Sequence, residues 1–205
     1  MKKRRKIIIS VLIVCIAAGL AGWIGYVNSG IFPSTKIYMI AQGEWMENTT
    51  TKVRVNKATL YSKEQWESYI KSQGIKKESQ FAEENKDMGY SMSYSEDSYY
   101  ILVMDIDICN TKEEEQKIVP ESYITLTNGI YSRGIYKDTY YSSVLQGGNG
   151  KNVYRIDLKP NEEAGAKCVY VFEKLPKEFA LERLALGRNQ RMKLNVEWAG
   201  ETNEG

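Results

Sequence analysis

Residues 7–27 (IIISVLIVCIAAGLAGWIGYV) contain no charged side chain, follow the five basic residues Lys2, Lys3, Arg4, Arg5 and Lys6, and open a charge-free interval that lasts to Lys36. A helix of that length rises roughly 31 Å at about 1.5 Å per residue, matching a hydrocarbon core of about 30 Å. The basic cluster stays on the cytoplasmic side by the positive-inside rule, which sends everything after Val27 outside. Trp23 and Tyr26 then fall near the outer interface, where amphipathic rings are favoured.

Two readings of this segment compete. In the first it is retained as a transmembrane signal anchor. In the second it is a cleaved secretory signal, with Gly19-Leu20-Ala21 as the small-x-small triplet. Apolar character running on through Trp23, Ile24 and Val27 favours retention. Cys15 follows Val14 rather than a small residue, so it reads as an apolar helix residue and not as a lipid attachment site.

The anchor also explains the charge. The chain has 28 Lys plus Arg against 26 Asp plus Glu, net +2. Without the five basic residues of the tail, 23 basic face 26 acidic residues, net −3. A mildly acidic outer part carries no electrostatic footprint for nucleic acid. Composition removes further chemistry, because among 205 residues there is no His. Imidazole-dependent triads and His-ligated zinc or haem are therefore excluded.

Beyond the anchor, turn-forming residues 28–35 lead into a first extended piece at 36–41. Residues 51–61 (TKVRVNKATLY) alternate through Val53 and Val55 and change phase before Leu60, as an edge strand with a bulge would. Ser62 and Gln65 form a capping-box pattern, Trp66, Tyr69 and Ile70 share one helical face, and Gly74 suits a helix stop. Residues 75–98 are polar and without clean periodicity, which reads as a long mobile loop.

Strands dominate the rest. Residues 99–109 (YYILVMDIDIC) predict a central strand with Leu102, Met104, Ile106 and Ile108 on one face and Val103, Asp105, Asp107 and Cys109 on the other. Residues 123–127 and 130–135 flank Asn128-Gly129, a strong hairpin signal. Further strands are expected at 153–158, 167–173, 179–186 and 192–198, with a turn at Pro160-Asn161. The sum is an all-β antiparallel sandwich with one inserted short helix.

Leu158-Lys159-Pro160-Asn161-Glu162, the Gly165 spacer and Val169-Tyr170-Val171-Phe172-Glu173 ending in Leu175-Pro176 resemble a hairpin of uncharacterised extracellular immunoglobulin-like (telokin-like) domains of Gram-positive bacteria, which sit behind a membrane anchor. The resemblance spans 53–198 and implies fold and location. It transfers no catalytic residue.

The expected organisation is a basic cytoplasmic tail at 1–6, the anchor at 7–27, a tether and first extended segment at 28–50, an immunoglobulin-like β-sandwich at 51–198 and a C-terminal tail at 199–205.

Candidate chemistry is sparse. Asp105 and Asp107 point the same way, with Glu113, Glu114 and Glu115 in the next loop, but no EF-hand spacing accompanies them, so they read as the solvent face of a half-buried strand. Gly147-Gly148-Asn149-Gly150-Lys151 departs from a phosphate loop at Leu145 and Asn152 and reads as a flexible turn. Tyr131, Tyr136, Tyr140 and Tyr141 fit a recognition surface or ordinary strand propensity. Cys109 and Cys168 fall on strand faces of opposite character, which disfavours a bridge.

No catalytic, cofactor-binding or metal residue is assigned, and no cofactor. The expected role is a non-catalytic binding or accessory module of the cell membrane, with a protein or cell-envelope partner and no nucleic acid. The alternatives are an envelope hydrolase acting on glycans through carboxylates, and an accessory subunit of a transporter or secretion complex. The small residues Ala17, Ala18, Gly19, Ala21, Gly22 and Gly25 would serve the latter if they gathered on one helix face.

Overall fold

In a computed structural model, the strand predicted at 99–109 organises the molecule. The structure describes residues 18–20, 22, 37–88, 92, 99–122, 125–127, 135–176, 178–185 and 188–200. Most of the expected membrane segment lies outside them. Among the described residues no helix is long and apolar enough to cross a membrane.

The strands are β1 (Ile37–Ile40), β2 (Met46–Glu47), β3 (Thr51–Ser62), β4 (Tyr100–Asn110), β5 (Gln116–Ile118), β6 (Thr125–Thr127), β7 (Ile135–Asp138), β8 (Ile156–Leu158), β9 (Glu163–Phe172), β10 (Ala180–Ala185), β11 (Arg188–Lys193) and β12 (Val196–Trp198). They form one sheet in the order β12-β3-β4-β9-β7, with β2 on the flank of β3, and a second in the order β1-β11-β10-β6. A two-stranded ribbon pairs β5 with β8. The pairs are antiparallel except β1 with β11 and β12 with β3.

The even-numbered side chains of β4 do what their alternation predicts. Leu102, Met104, Ile106 and Ile108 are buried with Val53, Val55 and Leu60 of β3 and Cys168, Tyr170 and Phe172 of β9. Leu126, Leu181 and Met192 of the smaller sheet join this core, so two sheets enclose one apolar layer. At about 1.5–3 kcal/mol for each fully buried aliphatic or aromatic side chain, this layer dominates the stabilisation. The predicted bulge is present as a register shift between Val55 and Lys57. β3 is not an outer edge, however, because β2 and β12 both pair with it.

The larger sheet is covered on its other face too. Ile101, Val103, Val169 and Val171 are buried there beneath three helices, α1 (Lys63–Ser72), α2 (Glu78–Glu84) and α3 (Thr139–Val144). α1 is the helix expected from the capping box. The Ser62 side chain accepts from the Gln65 N–H, the Gln65 side chain accepts from the Ser62 N–H at 2.9 Å, and Trp66 and Ile70 are buried. Gly74 follows at φ +67°, the left-handed conformation in which glycine carries no Cβ penalty.

Two expectations, at 75–98 and 192–198, are corrected. Residues 75–98 are not wholly loop, since Phe81 anchors α2 by stacking on Tyr140 at 4.6 Å and a 3-10 turn follows at Lys86–Met88. Around Asn128-Gly129 the described strands belong to different sheets: β6 pairs with β10 in one and β7 with β9 in the other. The expected hairpin itself, Asn128-Gly129 with 130–134, lies outside the described residues. The strand expected at 192–198 is two strands, β11 and β12, which join different sheets.

Candidate functional site

The helices cover only part of the larger sheet. Past Met104 its outer face turns polar and forms the floor of an open groove of about 400 Å³, lined by Asn56, Asp105, Asp107, Leu145, Gln146, Tyr154, Gly165, Ala166 and Lys167.

Strand register sets the floor. Asp107 sits between Arg54 on β3 and Gly165 on β9, and Asp105 sits between Lys57 and Lys167. The Arg54 guanidinium donates to Asp107 Oδ2 from Nη2 at 2.6 Å and from Nε at 3.1 Å, and lies 4.5 Å from the centre of the Trp45 ring. Lys167 forms an ion pair with Asp105, and Lys57 turns to Glu197 at 3.2 Å. Burial alone would raise the Asp107 pKa, but hydrogen bonds from Asn56 and Arg54 and the Arg54 charge outweigh it and hold the carboxyl below its ordinary value.

The far wall depends on α3. Asp138 caps this short helix by accepting from the Tyr141 N–H at 2.8 Å. Tyr140 and Tyr141 point into the protein, where the Tyr140 hydroxyl donates to Lys76 O at 2.9 Å and Tyr141 Oη accepts from the Glu78 N–H at 3.0 Å. These two rings are therefore core and not a recognition surface. Where β7 leaves the sheet, side chains take over its bonds to β9. Ser142 Oγ accepts from the Val169 N–H at 3.0 Å, and the Gln146 amide accepts from Lys167 N at 3.1 Å and donates to Lys167 O at 3.3 Å.

The Gly147–Lys151 turn is packed rather than loose. The backbone of Gly148 lies against Ser143, and Gly150 at φ +73° lies against the Tyr140 ring.

Asp105 and Asp107 thus come together as their spacing implied. Glu113, Glu114 and Glu115 do not line the groove, and Glu114 lies 3.5 Å from Lys112. Among the described residues no group of three acids or cysteines is placed to hold a metal ion. Cys109 and Cys168 lie on opposite faces of the sheet, opposite Glu163 and Met104 respectively in the ladder, and are not bridged to each other. The groove residues that sequence reasoning missed, Arg54, Gln146, Tyr154 and Lys167, come from segments far apart in the chain. Only register, which depends on the bulge at Asn56, brings Arg54 and Lys167 to the two acids.

Chemically the groove offers ions that neutralise one another, an amide, a phenol ring and the uncovered backbone at Gly165. Such a surface suits hydrogen bonding to a polar ligand. Both carboxylates take part in ion pairs.

No protein-family model matches the chain, and no curated protein does. Among solved structures, it is similar to an uncharacterised β-sandwich protein of Clostridium difficile 630 at 11% identity and TM-score 0.40, over 79% of this chain and 97% of that one. It is also similar to a candidate lipoprotein of Bacillus subtilis at 13% identity and TM-score 0.41, over 74% of this chain and 38% of that one. A conserved hypothetical protein of Bacillus anthracis matches at 15% identity and TM-score 0.34, over 70% of this chain and 87% of that one.

Proposed function

We propose that this chain is a membrane-anchored extracellular module with an immunoglobulin-like sandwich, which binds a protein or cell-envelope partner and performs no catalysis. Strand order supports the fold assignment. Lettering β3, β4, β6, β7, β9, β10 and β11 as A to G turns the two sheet orders into A-B-E-D and G-F-C, the arrangement of a seven-stranded immunoglobulin-like domain. The anchor rests on residues 7–27 and the basic residues before them.

The observation that carries the binding role is the pairing within the groove. Arg54 with Asp107 and Lys167 with Asp105 leave a polar, hydrogen-bonding floor in place of an acid and base set across a cleft. A glycoside hydrolase needs two carboxyl groups with separate protonation roles.

The test is a photo-cross-linker at Tyr154, with Lys112 as the control position, activated in intact membranes. Recovery of one partner from position 154 and none from 112 supports the module. Glycan turnover abolished in both Asp105→Asn and Asp107→Asn replaces it with the hydrolase reading. Protease added outside intact cells tests topology separately: degradation of the part beyond residue 27 is expected, and protection refutes the outward orientation.

A further inference from the structure

β9 loses its neighbour partway along. β7 pairs with residues 169–172, and Ser142 and Gln146 carry the edge on as far as Lys167, but β9 extends to Glu163. Among the described residues no strand pairs with 163–167 on that side.

Register decides which main-chain groups are left there. Lys167 N and O both bond the Gln146 amide, so at the Asp105–Lys167 rung β4 and β9 exchange no hydrogen bonds. Bonded and non-bonded rungs alternate in an antiparallel ladder, which makes Asp107–Gly165 the next rung of the same kind. The Gly165 N–H and C=O therefore point away from β4, toward the open side of β9. Gly165 is exposed and lines the groove described above. A Cβ there would meet nothing nearer than Asp107 Oδ1 at 3.9 Å, so no side chain shields this stretch of main chain from the groove.

An open edge of this kind pairs with another main chain, and two observations identify the occupant. The Gln146 amide accepts from Lys167 N and donates to Lys167 O, the two bonds that a residue of a neighbouring strand would make. The edge thus already holds an amide in the place of a strand, one rung from Gly165. The second observation is charge. Arg54 with Asp107 and Lys167 with Asp105 neutralise each other, so the floor beside the edge suits uncharged peptide groups over an ionic ligand.

We infer that an extended segment of a protein partner adds to β9 as a short strand, bonded to the Gly165 N–H and C=O and running along the groove in line with β7. The inference rests on the binding reading above and names how that partner is held.

The probe is a library of random linear peptides, selected against the full detergent-solubilised chain. Pairing through the main chain tolerates many side-chain sequences, so binders should emerge, and failure of the selection overturns the inference. Gly165→Pro removes the N–H that faces the open edge while sparing the bonds to β4. It should weaken the selected peptides about tenfold or more, whereas Gly165→Ala keeps the donor and should change affinity little. Unfolding followed by Trp66 fluorescence checks that the Pro variant is folded. A second arm leaves the protein untouched: methylating alternate main-chain nitrogens of a selected peptide should weaken binding about tenfold in one register and little in the other. Equal binding to folded Gly165→Pro, or equal effects of the two methylation registers, overturns edge pairing. A dimer of the chain that Gly165→Pro dissolves also overturns it, by making a second copy the occupant. The cross-linker at Tyr154 separates the two readings. Capture of one partner by wild type and its loss in Gly165→Pro supports both; equal capture by the two leaves the binding module standing and removes edge pairing alone; capture by neither removes both.

Discussion

Gly147 and Gly150 share a backbone conformation and differ in surroundings, which makes them a controlled pair. Their φ angles are +79° and +73°. A Cβ on Gly147 meets nothing within 4 Å, whereas one on Gly150 falls 2.5 Å from Cδ2 and Cε2 of Tyr140 and 3.3 Å from Val144 Cγ1. The ring cannot swing away freely. Its hydroxyl is bonded to Lys76 O, and its ring centre lies 4.6 Å from that of Phe81 and 5.0 Å from that of Tyr141. Alanine at either position carries the left-handed penalty of about 1–2 kcal/mol, and at Gly150 overpacking adds about 1–3 kcal/mol. Gly150→Ala should therefore unfold about 2–12 °C below Gly147→Ala, at about 2–4 °C per kcal/mol for a chain of this size. The assay is thermal or urea unfolding of the detergent-solubilised chain, followed by the fluorescence of buried Trp66. In a Tyr140→Ala background the extra cost of Gly150→Ala should vanish, leaving the shared backbone cost. Equal midpoints for the two single variants, or an extra cost that survives removal of the ring, would refute packing as the reason for this glycine.

The remaining expectations concern ion pairs, tyrosine ionisation and thiols. Arg54→Ala should destabilise the chain by about 1 kcal/mol near neutral pH, the scale of a partly exposed pair. Because the folded Asp107 pKa lies below its ordinary value of about 3.9, that stabilisation is present above about pH 4 and fades as pH falls through the folded value. Urea midpoints of the two proteins should converge in acid, and a constant gap would contradict the assignment. Tyr140 is pushed up to about 12, first by burial and then by the nearby charges of Glu78 and Asp138. Its contribution is present below pH 10 and is lost as pH rises toward 12. Tyr140→Phe should cost about 1 kcal/mol at neutral pH for the lost bond to Lys76 O, and the gap to wild type should close in alkali. Cys109 and Cys168 should show the same intact mass with and without reductant and react with alkylating agents only after denaturation; a mass difference of two hydrogen atoms would reveal a bridge.

Signals that act within a few residues were legible. The capping box at Ser62, the bulge before Leu60 and the two faces of the central strand are local consequences of side-chain chemistry, and each has its counterpart in the structure. α3 was not legible, because TYYSSV is a poor helix former and only six residues long. Tertiary contacts hold it: the Asp138 cap, the buried Tyr140 and Tyr141, and Ser142 bonded to β9. α2 was hidden for a related reason. Lys77 supplies no side-chain cap, and Phe81 is its one buried apolar anchor, too little to reveal a period. At the groove the sequence showed two acids two positions apart but not their cations. Arg54 lies 53 positions before Asp107 and Lys167 lies 62 after Asp105, distances across which charge complementarity has no signature until strands are registered.

The position of the groove is nevertheless written in one strand. From Tyr99 to Met104 the sequence is apolar at every position, and from Asp105 to Ile108 it alternates. Continuous apolarity marks a strand buried on both faces, and alternation marks one buried on a single face. The change falls where the helical cover ends: Ile101 and Val103 lie under α1 and α3, while Asp105 and Asp107 face the open groove. Extending the cover over Asp105 would require burying its ion pair with Lys167, a desolvation cost that the pair's attraction does not reliably offset. Shortening it would expose Ile101, Val103, Val169 and Val171. The extent of the helix layer is thus set by the sheet beneath it. The open groove is what remains when the apolar part of the outer face has been covered.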